Sequence, residues 1–202
     1  MRIRLSRRAR RTGHTHVARD HSVAAAWGFA EATFFFVVPD VWTSWVGLRR
    51  PKRALATTVS ALGGALVGGA VTYAWGRNVA ASSSQSVLAK VPAVTEGMIT
   101  RVEQEVAESG PASLMRGPTR GVPYKLYARA CGLQRKSLLS FLAWSVPARL
   151  IRFMVVTLAA SGIAAATRKI FPQVPEKLIT GVFWCCWAGF YGWFVPTVTR
   201  RR

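Results

Sequence analysis

The stretch SVAAAWGFAEATFFFVVPDVWTSWVGL, Ser22 to Leu48, decides how this chain is built. It is apolar along nearly all its length, yet it carries Glu31 and, farther on, the pair Pro39-Asp40. At about 1.5 Å per residue it is too short for two full helical crossings of a hydrocarbon core of about 30 Å, and long enough for one crossing or a half-depth hairpin. Arginine-rich sequence precedes it, and Arg49, Arg50, Lys52 and Arg53 follow it. A single crossing would put one basic cluster outside, against the tendency of Lys and Arg to remain on the cytoplasmic side. A hairpin that enters and leaves on that side satisfies both clusters, with Pro39 and Asp40 at its break. Broken backbone at such depth survives only where protein buries it or water reaches it.

Two segments downstream read as ordinary spans. Residues from about Ala54 to Trp75 carry no charge, and a second, aromatic-rich run extends from about Leu178 to Val198 before Arg200, Arg201 and Arg202. The first holds Gly64 and Gly68 four residues apart, with Ala61, Ala65 and Gly69 alongside, a small-residue face that lets another helix approach closely. The favoured role of this face is packing, and it can also serve a homo-oligomer.

A third span, about Ser137 to Ala166, contains Pro147, Arg149 and Arg152. Each arginine near a helix centre costs about 2.5–3.5 kcal/mol on the insertion scale, and each large aliphatic or Phe returns about 0.3–0.6. A dozen such residues only about cancel two lipid-facing arginines, so Arg149 and Arg152 are expected to face protein, water or lipid phosphate. Three residues apart, they share a helix face, with Ser145 one turn before Arg149. Snorkelling toward the interface is the plainer alternative.

The stretch ASLMRGPTRGVPYKLYARACGL, Ala112 to Leu133, is punctuated by Gly117, Pro118, Gly121 and Pro123 and carries Arg116, Arg120, Lys125 and Arg129. A broken, cavity-lining segment accounts for both features; a surface loop with flanking helices does so too. Between these pieces, about Ser86 to Ser109 reads as one amphipathic helix. Val94, Met98, Val102 and Val106 recur every four residues, and Gly110-Pro111 ends it.

Half of all residues are hydrophobic and eight are Trp, yet the formal charge is +20. The cations lie mostly at the edges of apolar stretches, where they meet anionic lipid head groups and set orientation. A nucleic-acid binder would carry them as stripes through polar sequence, and that class is set aside. The segment Arg2 to Arg19, with His14 and His16, reads as an uncleaved, unstructured cytoplasmic tail despite a faint twin-arginine look at Ser6-Arg7-Arg8. Cys131, Cys185 and Cys186 lack metal or redox spacing and read as packing residues.

Four segments in order resemble the DedA superfamily, also called SNARE-associated or VTT-domain membrane proteins, and within it the small YqaA-like branch. They are FAEATFFFVVPD with Glu31, Pro39 and Asp40; GGALVGGAVTYAWGR; GVPYKLYARACG with Pro123, Tyr124 and Lys125; and PARLIRF with Arg149 and Arg152. The resemblance covers roughly residues 22 to 160. Phe36 and Val38 stand where proline is common, and Pro123-Tyr124-Lys125 replaces a paired-arginine pattern. The resemblance implies an all-α integral membrane protein with two re-entrant helical hairpins meeting from opposite faces around membrane-embedded charges. It also implies lipid translocation, with proton coupling in some members. By matched position, Glu31 and Asp40 are the acidic pair, and Lys125, Arg149 and Arg152 are basic positions of the second half.

The expected organisation is a basic tail over 1–21, a membrane core over 22–170, and a C-terminal span and tail over 171–202. The expected function is a lipid flippase or scramblase-like transporter of phospholipid or isoprenyl phosphate in the bacterial plasma membrane. Glu31, Asp40, Arg120, Lys125, Arg149 and Arg152 are the candidate transport residues, Pro39 and Pro123 mark the breaks, and Gly64 and Gly68 pack helices. The partners are membrane lipids through anionic head groups, with a proton as candidate coupling ion. A noncatalytic structural or assembly protein is the runner-up. An enzyme is not expected, since no nucleophile–base pair, metal-ligand cluster or phosphate-cradling loop is present; no cofactor or metal is expected either.

Overall fold

The computed structural model describes the backbone from Arg2 to Thr199 and the side chains of residues 17–198. Helices α1 (Arg2–Thr33), α2 (Asp40–Arg49), α3 (Pro51–Asn78), α4 (Ala81–Ala89) and α5 (Glu96–Ser109) are followed by a 3-10 stretch, Gly110–Arg116. Then come α6 (Gly117–Arg120), α7 (Tyr124–Leu133), α8 (Leu138–Ile170) and α9 (Glu176–Thr199). No strand occurs among the described residues. Among the described residues three helices, α3, α8 and α9, are long and apolar enough to cross a membrane.

These three correspond to the spans expected from the sequence. Pro51 opens α3 in the first turn, where a missing N–H costs nothing. Pro147 lies inside α8 without ending it. The basic stretch before Ser22 is continuous with α1 and helical in backbone, where the sequence suggested an unstructured tail. His14 and His16 lie outside the residues whose side chains are described.

α1 and α3 lie parallel and nearly backbone to backbone. A Cβ added at Gly64 would strike the Ala25 carbonyl, and one at Gly68 would stand 2.6 Å from the Phe29 carbonyl oxygen. Farther along, Thr72 Oγ1 donates to Ala32 O at 2.8 Å, occupying a carbonyl near the end of α1. The small-residue face is thus occupied within the chain, by α1. Two further glycines seat α7 on α3: a Cβ at Gly76 would collide with the backbone of Arg129, and one at Gly132 with that of Tyr73.

The single amphipathic helix expected over Ser86–Ser109 is two helices with a turn between them. Pro92 cannot donate a helical hydrogen bond, Ala93 adopts a left-handed φ of 62°, and Thr95 caps α5 by accepting from Met98 N at 3.2 Å. Val94, fully buried in the turn, extends the four-residue apolar repeat of α5 back beyond its first residue.

α2 folds back along α1. Arg50 Nη1 reaches Asp20 Oδ2 at 2.5 Å, so the far end of α2 lies beside the early part of α1. Arg168 at the end of α8 donates to Leu48 O at 3.1 Å, bringing the two ends together. α9 joins at the same level, with Ile179 and Phe183 packed on Leu48 and Ala164.

Candidate functional site

The break after α1 runs through Phe34–Pro39, and its backbone polar groups find side-chain partners. Trp27 Nε1 donates to Val37 O at 2.9 Å, Val38 N donates to the Tyr191 hydroxyl at 2.9 Å, and Lys125 Nζ donates to Phe35 O at 2.7 Å. Pro39 stands at the N-cap of α2, its carbonyl accepting from Trp42 and Thr43 N at 3.0 Å each. The second break lies at Gly121–Pro123. Gly121 takes a left-handed φ of +66°, which glycine adopts without a Cβ penalty, and Pro123 precedes α7. The Lys125–Phe35 bond joins the two breaks, so the tips of the two interrupted helical segments touch.

Around this junction stand four of the charges picked out in the sequence. Arg149 and Arg152, on one face of α8, each meet an acid: Arg149 Nη2 pairs with Glu31 Oε2, and Arg152 Nη2 lies 2.7 Å from Asp40 Oδ2. Both members of the first pair are buried, with side chains 7% and 5% exposed. The Arg149 guanidinium also sits 4.3 Å above the Tyr124 ring and 4.9 Å from that of Phe153, close enough for cation–π attraction. Tyr124 donates to Ser145 Oγ at 2.8 Å, and Ser145 passes a bond to Phe141 O at 2.7 Å. Ser145 therefore supports the aromatic floor beneath Arg149.

The second pair is incomplete. Asp40 is fully buried; its Oδ2 has the Arg152 guanidinium as ion-pair partner, and its Oδ1 has no donor. Arg149 Nε is likewise unpartnered. Buried polar atoms are nearly always satisfied, so this cluster is exceptional.

A cavity of about 810 Å³ opens beside it. Glu31, Asp40, Lys125, Arg152 and Tyr191 form its polar end, and Val156, Ile163, Val182, Phe183, Trp187 and Phe190 contribute to its apolar walls, between α8 and α9. From Arg152 to Thr167, both in the lining, the helical rise gives a groove about 22 Å long. α9 closes one side through few anchors: Trp45 against Phe183 and Trp184, and Tyr191 against Phe36 and Val38.

Arg120 does not join this centre. It reaches Glu105 Oε1 at 2.6 Å, and the same carboxylate binds Arg101 at 3.3 Å and the Tyr127 hydroxyl at 2.8 Å. Arg129, only 1% exposed, uses all three guanidinium nitrogens: it pairs with Glu103 and donates to Ser84 Oγ at 2.9 Å and Ala81 O at 2.8 Å. This network ties α4, α5 and α7 together.

The sequence did not single out Tyr191 or the Phe35 carbonyl. Tyr191 lies 153 residues from Val38, and its aromatic-rich helix offers no local sign of the contact. No group of three or more potential metal ligands occurs among the described residues. Compared with protein-family models, curated proteins and solved structures, the chain matches none.

Proposed function

We propose that this chain is a multi-pass membrane protein that lets lipids cross the bilayer, with the head group passing the Glu31–Asp40–Lys125–Arg149–Arg152 centre and the acyl chains lying between α8 and α9. The observation that carries this reading is the cavity, apolar for most of its length and charged at one end. A lipid crossing unaided must take its head group through hydrocarbon, and a polar site part-way across lowers that barrier. The groove length of about 22 Å suits a long acyl chain.

Depth supports the same reading. Asp40 stands nine helical rises from Arg49, about 14 Å, or roughly half of a hydrocarbon core of about 30 Å. Arg49, Arg50, Lys52, Arg53, Arg168 and Lys169 gather at the end where α2 stops, α3 begins and α8 ends, and the positive-inside tendency assigns that end to the cytoplasm. The two interrupted segments then act as re-entrant hairpins meeting tip to tip near mid-depth, the arrangement of the DedA-like proteins that the sequence resembles. In this reading the protein sits in a bacterial plasma membrane, and a proton can be exchanged at the acidic pair.

A structural role is favoured by one specific observation, the buried Glu31–Arg149 pair, which can simply hold α1 against α8. Lipid translocation in proteoliposomes separates the two readings, comparing wild type with Glu31→Gln and Arg149→Ala at matched reconstitution. The transport reading expects translocation above empty vesicles, lost in variants that still reconstitute. If wild-type vesicles translocate no lipid faster than empty ones, the structural role stands instead.

A further inference from the structure

We infer that the charged centre is tuned to a lipid phosphodiester bearing a hydrogen-bond donor, such as a phosphoglycerol head group, and discriminates against phosphomonoesters. This rests on the lipid-groove reading and narrows it. Two features of the centre carry the inference, both with Asp40 as a carboxylate.

The first is its charge. Lys125, Arg149 and Arg152 face Glu31 and Asp40, three cations against two carboxylates, leaving one positive charge. A phosphodiester brings one negative charge and makes the loaded centre neutral. A phosphomonoester brings about 1.5–2 at pH 7 and leaves excess anion in a poorly solvated place. More charge on the ligand therefore does not mean tighter binding here.

The second is the unfilled acceptor. Asp40 is fully buried and lines the cavity; Arg152 faces its Oδ2, and its Oδ1 has no hydrogen-bond donor. Its neighbours do not supply one: Lys125 donates to Phe35 O, and Ser44 donates to the Asp40 backbone carbonyl. An occupant that places phosphate on Arg152 and Lys125 and an O–H or N–H on Asp40 satisfies both halves at once. A glycerol hydroxyl or a primary ammonium does this, whereas a quaternary ammonium has no hydrogen to give.

The test is competition for the full-length, detergent-purified chain at pH 7, using a fluorescent phosphatidylglycerol as probe. The competitors are phosphatidylglycerol, phosphatidic acid, phosphatidylethanolamine and phosphatidylcholine with identical acyl chains. Wild type is expected to prefer phosphatidylglycerol over phosphatidic acid on the order of tenfold, and phosphatidylethanolamine over phosphatidylcholine. Asp40→Asn raises the centre's net charge by one, so it should move the first ratio toward phosphatidic acid by a similar factor and weaken the second preference, since the Asn carbonyl is only a neutral acceptor. Arg152→Gln lowers that charge by one and should cost phosphatidylglycerol its advantage over phosphatidylcholine, which keeps the test alive if Asp40→Asn does not fold. A wild-type ranking that follows ligand charge, with phosphatidic acid ahead, overturns the head-group assignment while leaving the groove intact. Ratios unmoved by Asp40→Asn and Arg152→Gln also overturn the assignment. No displacement of the probe by any of the four lipids contradicts the groove itself.

Discussion

Arg129 and Arg149 are both buried arginines paired with a glutamate, but the surroundings finish the job only for Arg129. Its three guanidinium nitrogens meet Glu103, Ser84 and the Ala81 carbonyl. Arg149 meets Glu31, stacks on Tyr124 and Phe153, and keeps an unpartnered Nε. Asp40 beside it is fully buried, with Arg152 on Oδ2 and no donor on Oδ1. A saturated charge network is a strut, because every direction that needs a partner has one. An unsaturated network next to a cavity of about 810 Å³ still has bonding capacity for a visitor.

The largest expected effect falls on the strut. Arg129→Ala strands Glu103 and removes the tie between α4, α5 and α7, so it should cost about 3 kcal/mol, read as lost resistance to unfolding in detergent. Lipid translocation per folded molecule should remain as in wild type. A smaller loss, about 2 kcal/mol, is expected for Gly64→Val, which drives a side chain into the Ala25 carbonyl and parts α1 from α3.

Asp40→Asn sharpens the contrast by reversing it. Neutralising a buried carboxylate with no donor on Oδ1 relieves it of its charge while giving up the ion pair with a one-third-exposed Arg152, so stability should change by about 1 kcal/mol or less while translocation falls at least about tenfold. Loss of stability on the scale of Arg129→Ala would mean that Asp40 is another strut. The smallest effect belongs to Arg120→Gln. Its side chain is 42% exposed, and Glu105 keeps Arg101 and Tyr127, so less than about 1 kcal/mol and no loss of translocation are expected. A translocation defect there would extend the transport site to Arg120, which geometry places elsewhere.

The parts legible in the sequence were those with a local cause. Long charge-free runs gave α3 and α9, Pro39 and the Gly121–Pro123 cluster marked the two breaks, and three-residue spacing put Arg149 and Arg152 on one face. Gly64 and Gly68 announced a close helix contact, although only the fold names α1 as the partner. The rest depends on pairing across the chain. Arg120 and Lys125 sit five residues apart in one basic stretch, yet Arg120 turns to Glu105 and Lys125 to Phe35. Nothing in their immediate neighbours separates them. The split of Ser86–Ser109 was hidden because a buried Val94 keeps the helical repeat going through a turn.

If lipid passes through the groove between α8 and α9, Ala160→Trp stops it without touching any charge. Ala160 lines the cavity part-way along α8, about 12 Å by helical rise from Arg152, and is only partly exposed, so an indole there fills the passage while leaving the ion pairs intact. Proteoliposomes carrying Ala160→Trp, matched to wild type for protein content and thermal stability, should translocate phospholipid no faster than empty vesicles. Translocation at the wild-type rate would mean that lipid crosses by a route that does not use this groove.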